Sequence, residues 1–478
     1  MTNSTDGARV VVIGAGPGGY AAAFHAADLG MDVTLVDVEA EPGGVCLYRG
    51  CIPSKALLHV AALLRETRDA EAWGVHFGAP EIDLDALRGW KEQMVKKLTS
   101  GLGQLARQRK LTLVRGRARF RNAHSIEVTS VDGDADMDRT IEFDHAIVAT
   151  GSRPTVIPGL DLDSPRVMDS TAALALDGVP DSLLVIGGGY IGLELGSVYA
   201  ALGSRVTVVE MTSGLLPGAD RDLVEPLARR LRSEFEEILL DTRVIEMQEA
   251  TDGVRVTLAG LNLAQPQRTF DRALVAVGRM PNSQGLGFEQ TGVEVDSRGF
   301  IKTDEQRRTG EPSIFAIGDV VGEPMLAHKA THEGLVAVEV IAGRPAVFAP
   351  LAIPAVVFTD PEIAWCGLTE TAALSRGIPF EIARFPWAAS GRATTLGRND
   401  GLTKLLIDPQ TERVLGVGIV GQGAGELIGE GLLAVEMGAR ADDLRRSVHA
   451  HPTLAETLME AAELFFGPAT HYLPRRKR

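Results

Sequence analysis

The sequence predicts an α/β protein containing two Rossmann-like domains, and three observations carry that expectation. A β-branched run at 9–13 enters the turn Gly14-Ala15-Gly16-Pro17-Gly18-Gly19, which leads into an alanine-rich helical stretch at 20–29. A second apolar run at 33–36 ends on an acid, Asp37. The same device then recurs: a run at 183–186, the turn Gly187-Gly188-Gly189-Tyr190-Ile191-Gly192, a helical stretch, and a run at 205–209 ending at Glu210. From Gly14 to Asp37, and again from Gly187 to Glu210, is 23 positions.

Each part has a physical purpose. A parallel strand buried on both faces reads as a continuous β-branched run rather than an alternating one. The glycines Gly14, Gly16 and Gly19, and again Gly187, Gly189 and Gly192, permit a tight turn and let backbone approach a pyrophosphate. The following helix N-terminus offers free N–H groups and a positive dipole end to that anion. Asp37 and Glu210 can accept hydrogen bonds from ribose hydroxyls. Two dinucleotide sites on one chain imply electrons passing between nucleotides, which narrows the class to flavin plus nicotinamide. Glu210 favours NAD over NADP: a carboxylate there repels a 2′-phosphate, and Met211, Thr212 and Ser213 supply no arginine.

Composition removes other classes. With 45% hydrophobic and 23% charged residues the chain can fill a globular core. A net charge of −15 argues against a general nucleic-acid binder, which needs a basic surface. The basic end, Arg475, Arg476, Lys477 and Arg478, reads as a solvated tail. No run approaches the ~18 apolar residues of a membrane span, and the residues before Val10 lack the basic region of a signal peptide. Three cysteines are too few for a secreted disulfide scaffold. The cytoplasm is the expected compartment.

Two of those cysteines stand in Gly43-Gly44-Val45-Cys46-Leu47-Tyr48-Arg49-Gly50-Cys51-Ile52-Pro53-Ser54-Lys55. Four intervening residues close a loop small enough for disulfide geometry. Pro53 suits an early helical position, so Cys51 is expected near a helix N-terminus that lowers its thiol pKa. Two buried packing cysteines would be the bland reading, and the polar, glycine-rich surroundings weigh against it. Near the far end lies His449-Ala450-His451-Pro452-Thr453-Leu454-Ala455-Glu456. Thiol exchange runs through thiolates, so a histidine titrating near working pH is a suitable proton acceptor for a dithiol.

These segments resemble the pyridine nucleotide–disulfide oxidoreductases, with wording close to the branch that oxidises dihydrolipoyl groups. Further matching stretches lie at 146–151, 273–279, 314–319, 325–330 and 385–392, so the resemblance covers about 9–467. It implies that Cys46 is the interchange thiol that meets the substrate and Cys51 the thiol against the flavin. Lys55 would sit near the flavin N5 with Glu194 as its partner, and Tyr190 would gate the nicotinamide pocket. His451 would be the acid–base group, oriented by Glu456 and delivered from the second subunit, with His449 a bystander. Further FAD contacts are implied at Gly44, Val45, Cys46, Lys55, Ala118, Thr150, Gly151 and Ala327, with Asp319 on the ribityl chain. NAD contacts are implied at Ile191, Val244 and Gly278, and no metal site is expected.

The architecture that follows is α/β: two Rossmann-like dinucleotide-binding domains plus a C-terminal α+β dimerisation domain. Its expected divisions are 1–154 for FAD with the redox pair, 155–278 for NAD, 279–349 completing the FAD site, and 350–478 as the interface. The implied partners are a second copy of the chain, the lipoyl-bearing acyltransferase component of 2-oxoacid dehydrogenase complexes, and the lipoyl protein of glycine cleavage. No lipoyl-like segment precedes Val10, so that group is expected on another protein. A docking role in such an assembly can coexist with catalysis. The rival within the family, a glutathione reductase-like enzyme, normally needs basic residues for NADP; mercuric and large thioredoxin reductases need a second, C-terminal cysteine pair. Asp37 stands where the family more often has glutamate. Arg49 replaces a smaller residue and is expected to alter access to Cys46, and Cys366 is expected to be a buried small hydrophobe.

Overall fold

The structure, a computed structural model, describes residues 7–133, 138–260 and 263–474; the basic end at 475–478 lies outside them. Two five-stranded parallel sheets dominate. The first runs in the order Ile314–Ala316, His145–Val148, Arg9–Ile13, Asp32–Asp37, Thr112–Arg115. The second runs Glu237–Leu239, Arg205–Val209, Ser182–Ile186, Arg272–Val275, Val167–Met168. In both, the strand that feeds the glycine turn lies at the centre, and its neighbour carries the acid. Val10 to Ile13 and Leu183 to Ile186 are buried throughout, which explains why neither run alternates.

The first dinucleotide helix spans Pro17–Asp28, three residues earlier than the alanine pattern suggests. Proline fits the first helical turn, where its missing N–H costs nothing. The glycines that obscure the pattern are packing sites. A Cβ on Gly18 would lie 2.8 Å from the Ala330 carbonyl oxygen, and one on Gly334 would lie 2.8 Å from that of Gly18. Helix Ala327–Ile341 therefore presses directly on Pro17–Asp28. Segment 279–349 adds both this helix and strand Ile314–Ala316 to the first sheet, so it is built into that sheet rather than standing beside it.

The C-terminal domain is a five-stranded antiparallel sheet, Ala355–Val357, Glu362–Gly367, Val414–Gly421, Leu402–Ile407, Glu381–Pro386. Helices Ala424–Glu436 and Glu456–Phe466 cover it. Cys366 is buried in this core, and burial pushes its thiol up to about 12, so it is inert at neutral pH.

Ionic clusters fasten the domains together. The ammonium of Lys404 lies 2.7 Å from Asp220, 2.6 Å from Asp222 and 2.7 Å from Glu370. The two aspartates stand at the start of helix Arg221–Glu234, beside the second parallel sheet; Lys404 and Glu370 belong to the C-terminal domain. These three carboxylates could together hold a cation, and the lysine supplies it. Asp360 plays the reverse part, gathering Arg65 of helix Cys51–Asp69 at 3.2 Å, Arg230 of helix Arg221–Glu234 at 3.8 Å, and Arg398.

Removing one member of a buried ionic group costs more than the group contributes, because the remaining charges stay desolvated. Lys404→Met is therefore expected to destabilise the protein by about 3–5 kcal/mol. A denaturant midpoint equal to that of the wild type would show that the cluster does not hold the domains.

Candidate functional site

The two glycine turns are built alike, atom for atom. Gly14 and Gly187 take φ of +100° and +109°, and a Cβ on either would strike a strand carbonyl, Ala149 at 2.3 Å or Ala276 at 2.4 Å. A Cβ on Gly19 or Gly192 would strike the first glycine's own carbonyl oxygen, at 1.8 and 2.2 Å. The middle glycines differ. Around Gly16 a Cβ would meet only Gly44 Cα at 3.9 Å, and around Gly189 nothing within 4 Å. Packing within the protein does not demand glycine there; a ligand approaching the backbone does. Both turns thus fit a pyrophosphate.

The strand-end acids sit against those turns. Asp37 accepts the Ala15 N–H at 2.6 Å and the Glu39 N–H at 2.9 Å. Glu210 accepts the Gly188 N–H at 2.7 Å and both the N–H and hydroxyl of Thr212 at 2.8 Å. Burial nevertheless pushes the Asp37 carboxyl above its ordinary value. Asp37, with the shorter side chain, meets the N–H of the second turn residue just as Glu210 does.

One long cavity joins the first turn to the cysteines and to the second domain. Gly14, Gly16 and Asp37 line one end, Gly44, Val45, Cys46, Cys51 and Lys55 the middle, and Tyr190, Ile191 and Glu194 the far side. Thr150, Gly151, Asp319 and Ala327 complete the walls. Gly187, Gly189, Gly192 and Glu210 form the separate second cradle, with Gly278 at φ +119° at the end of an adjacent strand. Val244 lies two residues beyond Thr242, whose N–H bonds the Glu210 carbonyl. Ala118 pairs with Val128 in a small antiparallel sheet, off the cavity walls. Arg49 pairs with Glu39 and lines the same cavity as Cys46.

The cysteine segment is helical rather than a loop. Cys46 lies in helix Gly44–Arg49, and Cys51 opens helix Cys51–Asp69. The break is Gly50, where a Cβ would come within 2.8 Å of the Val45 carbonyl oxygen. Both cysteines are free thiols. A hydrogen bond from the Cys46 thiol holds the Cys51 thiol down to about 7, with the Lys55 charge adding to it and burial opposing. Cys46 itself is pushed up, by that shared hydrogen bond and by burial. The pair is therefore unequal: Cys46 keeps the proton and Cys51 carries the thiolate.

Lys55 approaches the Glu194 carboxylate at 2.8 Å and stands 4.5 Å over the Phe358 ring. Glu194 is 3% exposed, so a solvated surface pair is ruled out. Its other donors are the Ser54 hydroxyl at 3.1 Å and the Phe358 N–H at 3.0 Å. Asp319 accepts the Ser152 hydroxyl at 2.5 Å, and Ser152 in turn accepts from Arg279 at 2.7 Å. Behind that turn, fully buried Glu333 accepts the Gly318 N–H at 2.6 Å and pairs with Arg307 at 3.0 Å and Lys329 at 3.1 Å. Ser54, Ser152, Arg279 and Phe358 carry no local signal of these roles. Only Glu333 was accessible in principle, four residues after Lys329 on one helix.

His451 lies far along the chain, on the C-terminal domain. Its Nδ1 is 2.9 Å from Glu456, whose other oxygen accepts the Thr453 N–H at 2.7 Å. The carboxylate fixes the proton on Nδ1 and leaves Nε2 free as a base. The ring is 69% exposed on the single chain.

Two nucleotide cradles around an unequal cysteine pair define a flavin- and nicotinamide-linked disulfide oxidoreductase. Comparison with known proteins agrees. The chain belongs to the pyridine nucleotide-disulphide oxidoreductase family, whose sequence profile matches residues 8–334, and the family's dimerisation domain matches 353–462. FAD and NAD are the cofactors of this family. The chain is 48% identical to the dihydrolipoyl dehydrogenase of Vibrio cholerae over 470 residues, covering 98% of each chain. It is 49% identical to that of Haemophilus influenzae over 469 residues, covering 98% of this chain and 97% of the relative. Among solved structures, LpdA from Mycobacterium tuberculosis superposes with a TM-score of 0.88 at 27% identity, covering 96% and 99% of the two chains. Among the described residues, no helix is long and apolar enough to cross a membrane.

The cysteine asymmetry is testable. Cys46→Ala removes the hydrogen-bond donor and is expected to raise the Cys51 pKa above about 7. Thiolate absorbance of the reduced protein followed against pH reads this directly; an unchanged titration would assign the lowering to another group.

Proposed function

We propose that the chain acts as a dihydrolipoyl dehydrogenase, oxidising protein-bound dihydrolipoyl groups with NAD+ through the Cys46–Cys51 pair and FAD. The observation that carries this is the unequal pair, set in the cavity between the first glycine turn and Tyr190. Full-length identity to enzymes of that name supports the choice of substrate. The working unit is a homodimer, in which His451 of the partner subunit completes each site. Its clients are lipoyl-bearing acyltransferase cores and the lipoyl protein of glycine cleavage, and its compartment is the cytoplasm.

The steps follow from the side chains. In the oxidised pair, Cys46 and Cys51 share a disulfide bond. Nε2 of His451 takes a proton from the substrate dithiol, and the resulting thiolate attacks Cys46. The bond to Cys51 breaks, and Cys51 leaves as the more stable thiolate, which favours attack in this sense. The second substrate sulfur then displaces Cys46, which takes up a proton, and the substrate leaves as a cyclic disulfide. When bound beside Cys51, FAD supplies the path by which the electron pair reaches NAD+ as hydride. Dithiol and NAD+ become disulfide, NADH and a proton. Lys55 and Glu194 hold the cavity wall at that junction, Asp319 serves the ribityl chain, and Tyr190 covers the nicotinamide side.

Two measurements test this reading. Glu210 and the absence of arginine at 211–213 predict a strong preference for NAD+, so an equal or better kcat/KM with NADP+, or with glutathione disulfide as substrate, would point to the glutathione reductase-like alternative. His451→Gln is expected to cut dithiol oxidation by ~10²–10⁴-fold, the size typical of a lost general base. Mixing Cys46→Ser and His451→Gln chains should restore activity, because one site in each heterodimer regains both groups. No recovery despite proven subunit exchange would mean that the site is not shared.

A further inference from the structure

The two histidines of the 449–451 segment are held in opposite ways. His451 spends one ring nitrogen on Glu456 and presents the other. His449 spends both: Nε2 lies 2.8 Å from Glu430 Oε1 and Nδ1 lies 2.9 Å from the Ser447 carbonyl oxygen. Its side chain is 8% exposed. A carboxylate and a carbonyl oxygen accept hydrogen bonds and donate none. A ring with an acceptor at each nitrogen satisfies both only when both nitrogens carry hydrogen.

We propose that His449 is a positioning residue: a standing imidazolium that clips the His451 segment to helix Ala424–Glu436. The proposal rests on the reading of His451 as the base. One residue, Ala450, separates the two rings. On the other side of His451, the Thr453 hydroxyl bonds the Ala450 carbonyl at 2.7 Å, and its N–H bonds Glu456 at 2.7 Å. Val448 is 99% exposed, so burial of that side chain does not anchor the near side. His449 is the only ring or ion pair that ties that side to the domain among the described residues of 448–450.

The charged groups facing His449 are Glu430, on helix Ala424–Glu436, and Glu456, on helix Glu456–Phe466. Burial works against the ring's charge, but the Glu430 carboxylate, the Ser447 carbonyl and Glu456 outweigh it and raise its pKa. A raised pKa means that the clip is fully present below the ordinary histidine value and is lost as pH climbs through the raised one. Glu430→Gln removes the larger charge and shifts that loss to lower pH.

The test uses the intact flavoprotein with 15N-labelled histidine, titrated from about pH 6 to pH 9, alongside steady-state rates with dihydrolipoamide. His471, paired with Glu460, is also raised, so the expected result is a doubly protonated ring above the ordinary histidine range that is missing from His449→Gln and titrates at lower pH in Glu430→Gln. His449→Gln should lose about tenfold in kcat/KM for the dithiol, through kcat, while NADH oxidation by ferricyanide holds. A neutral His449 ring at about pH 6 would overturn the imidazolium. Dithiol oxidation within twofold of wild type in His449→Gln would overturn the positioning role; should that variant not fold, Glu430→Gln carries the same rate test. Absence of dihydrolipoamide oxidation by the wild type would instead refute the proposed function, and the ring titration would still read His449.

Discussion

The site depends on one buried carboxylate. Glu194 is 3% exposed and accepts from the Lys55 ammonium, the Ser54 hydroxyl and the Phe358 N–H. These donors come from two places, helix Cys51–Asp69 and the C-terminal domain, and meet the carboxylate on a third element, helix Tyr190–Leu202. An ionised group cannot be buried without such partners, since desolvation alone would cost several kcal/mol. Each domain is therefore required in place for the charge to be tolerated. Glu194 ties domain docking to site geometry.

The same ionic contact reaches the sulfur chemistry. Lys55 is one turn past Cys51 on the same helix, and its charge adds to the hydrogen bond from Cys46 in favouring the Cys51 thiolate. Glu194 opposes that effect slightly. The lysine is thus shared between a structural partner and a reactive one, and the Phe358 ring below it limits its swing. A lysine free to follow solvent would stabilise the thiolate less, because screening by water weakens exposed charge pairs. Rigidity here is an electrostatic asset.

Asymmetry also runs through the two dinucleotide units. Their turns and strand-end acids superpose in logic down to the hydrogen bond from the second turn residue, Ala15 to Asp37 and Gly188 to Glu210. Yet the first turn lends its glycines to the cavity of the cysteines, whereas the second lends it Tyr190 and Ile191. The difference arises from segment 279–349, which returns to the first sheet and brings Asp319 and Ala327 over its turn. The same local device makes both cradles, and the chain's later path gives them different neighbours.

Much of this was legible in the sequence. Period and spacing fixed the two Rossmann units, because a buried parallel strand, a glycine turn and a terminal acid are local features with local causes. The Cys46–Cys51 interval, Pro53 and the His451–Glu456 interval likewise lie within a helical turn or two, so their geometry is nearly a property of the chain itself. What the tertiary structure decided is everything that joins distant segments. Phe358 meets Glu194 across 164 positions, Asp360 gathers arginines from three segments, and Glu333 supports the Gly318 turn from a neighbouring helix. Gly50 splits the cysteine segment into two helices, which composition alone reads as a loop. Single residues of ordinary type carry no mark of such pairings, since loop closure and packing choose them only when the whole chain is folded.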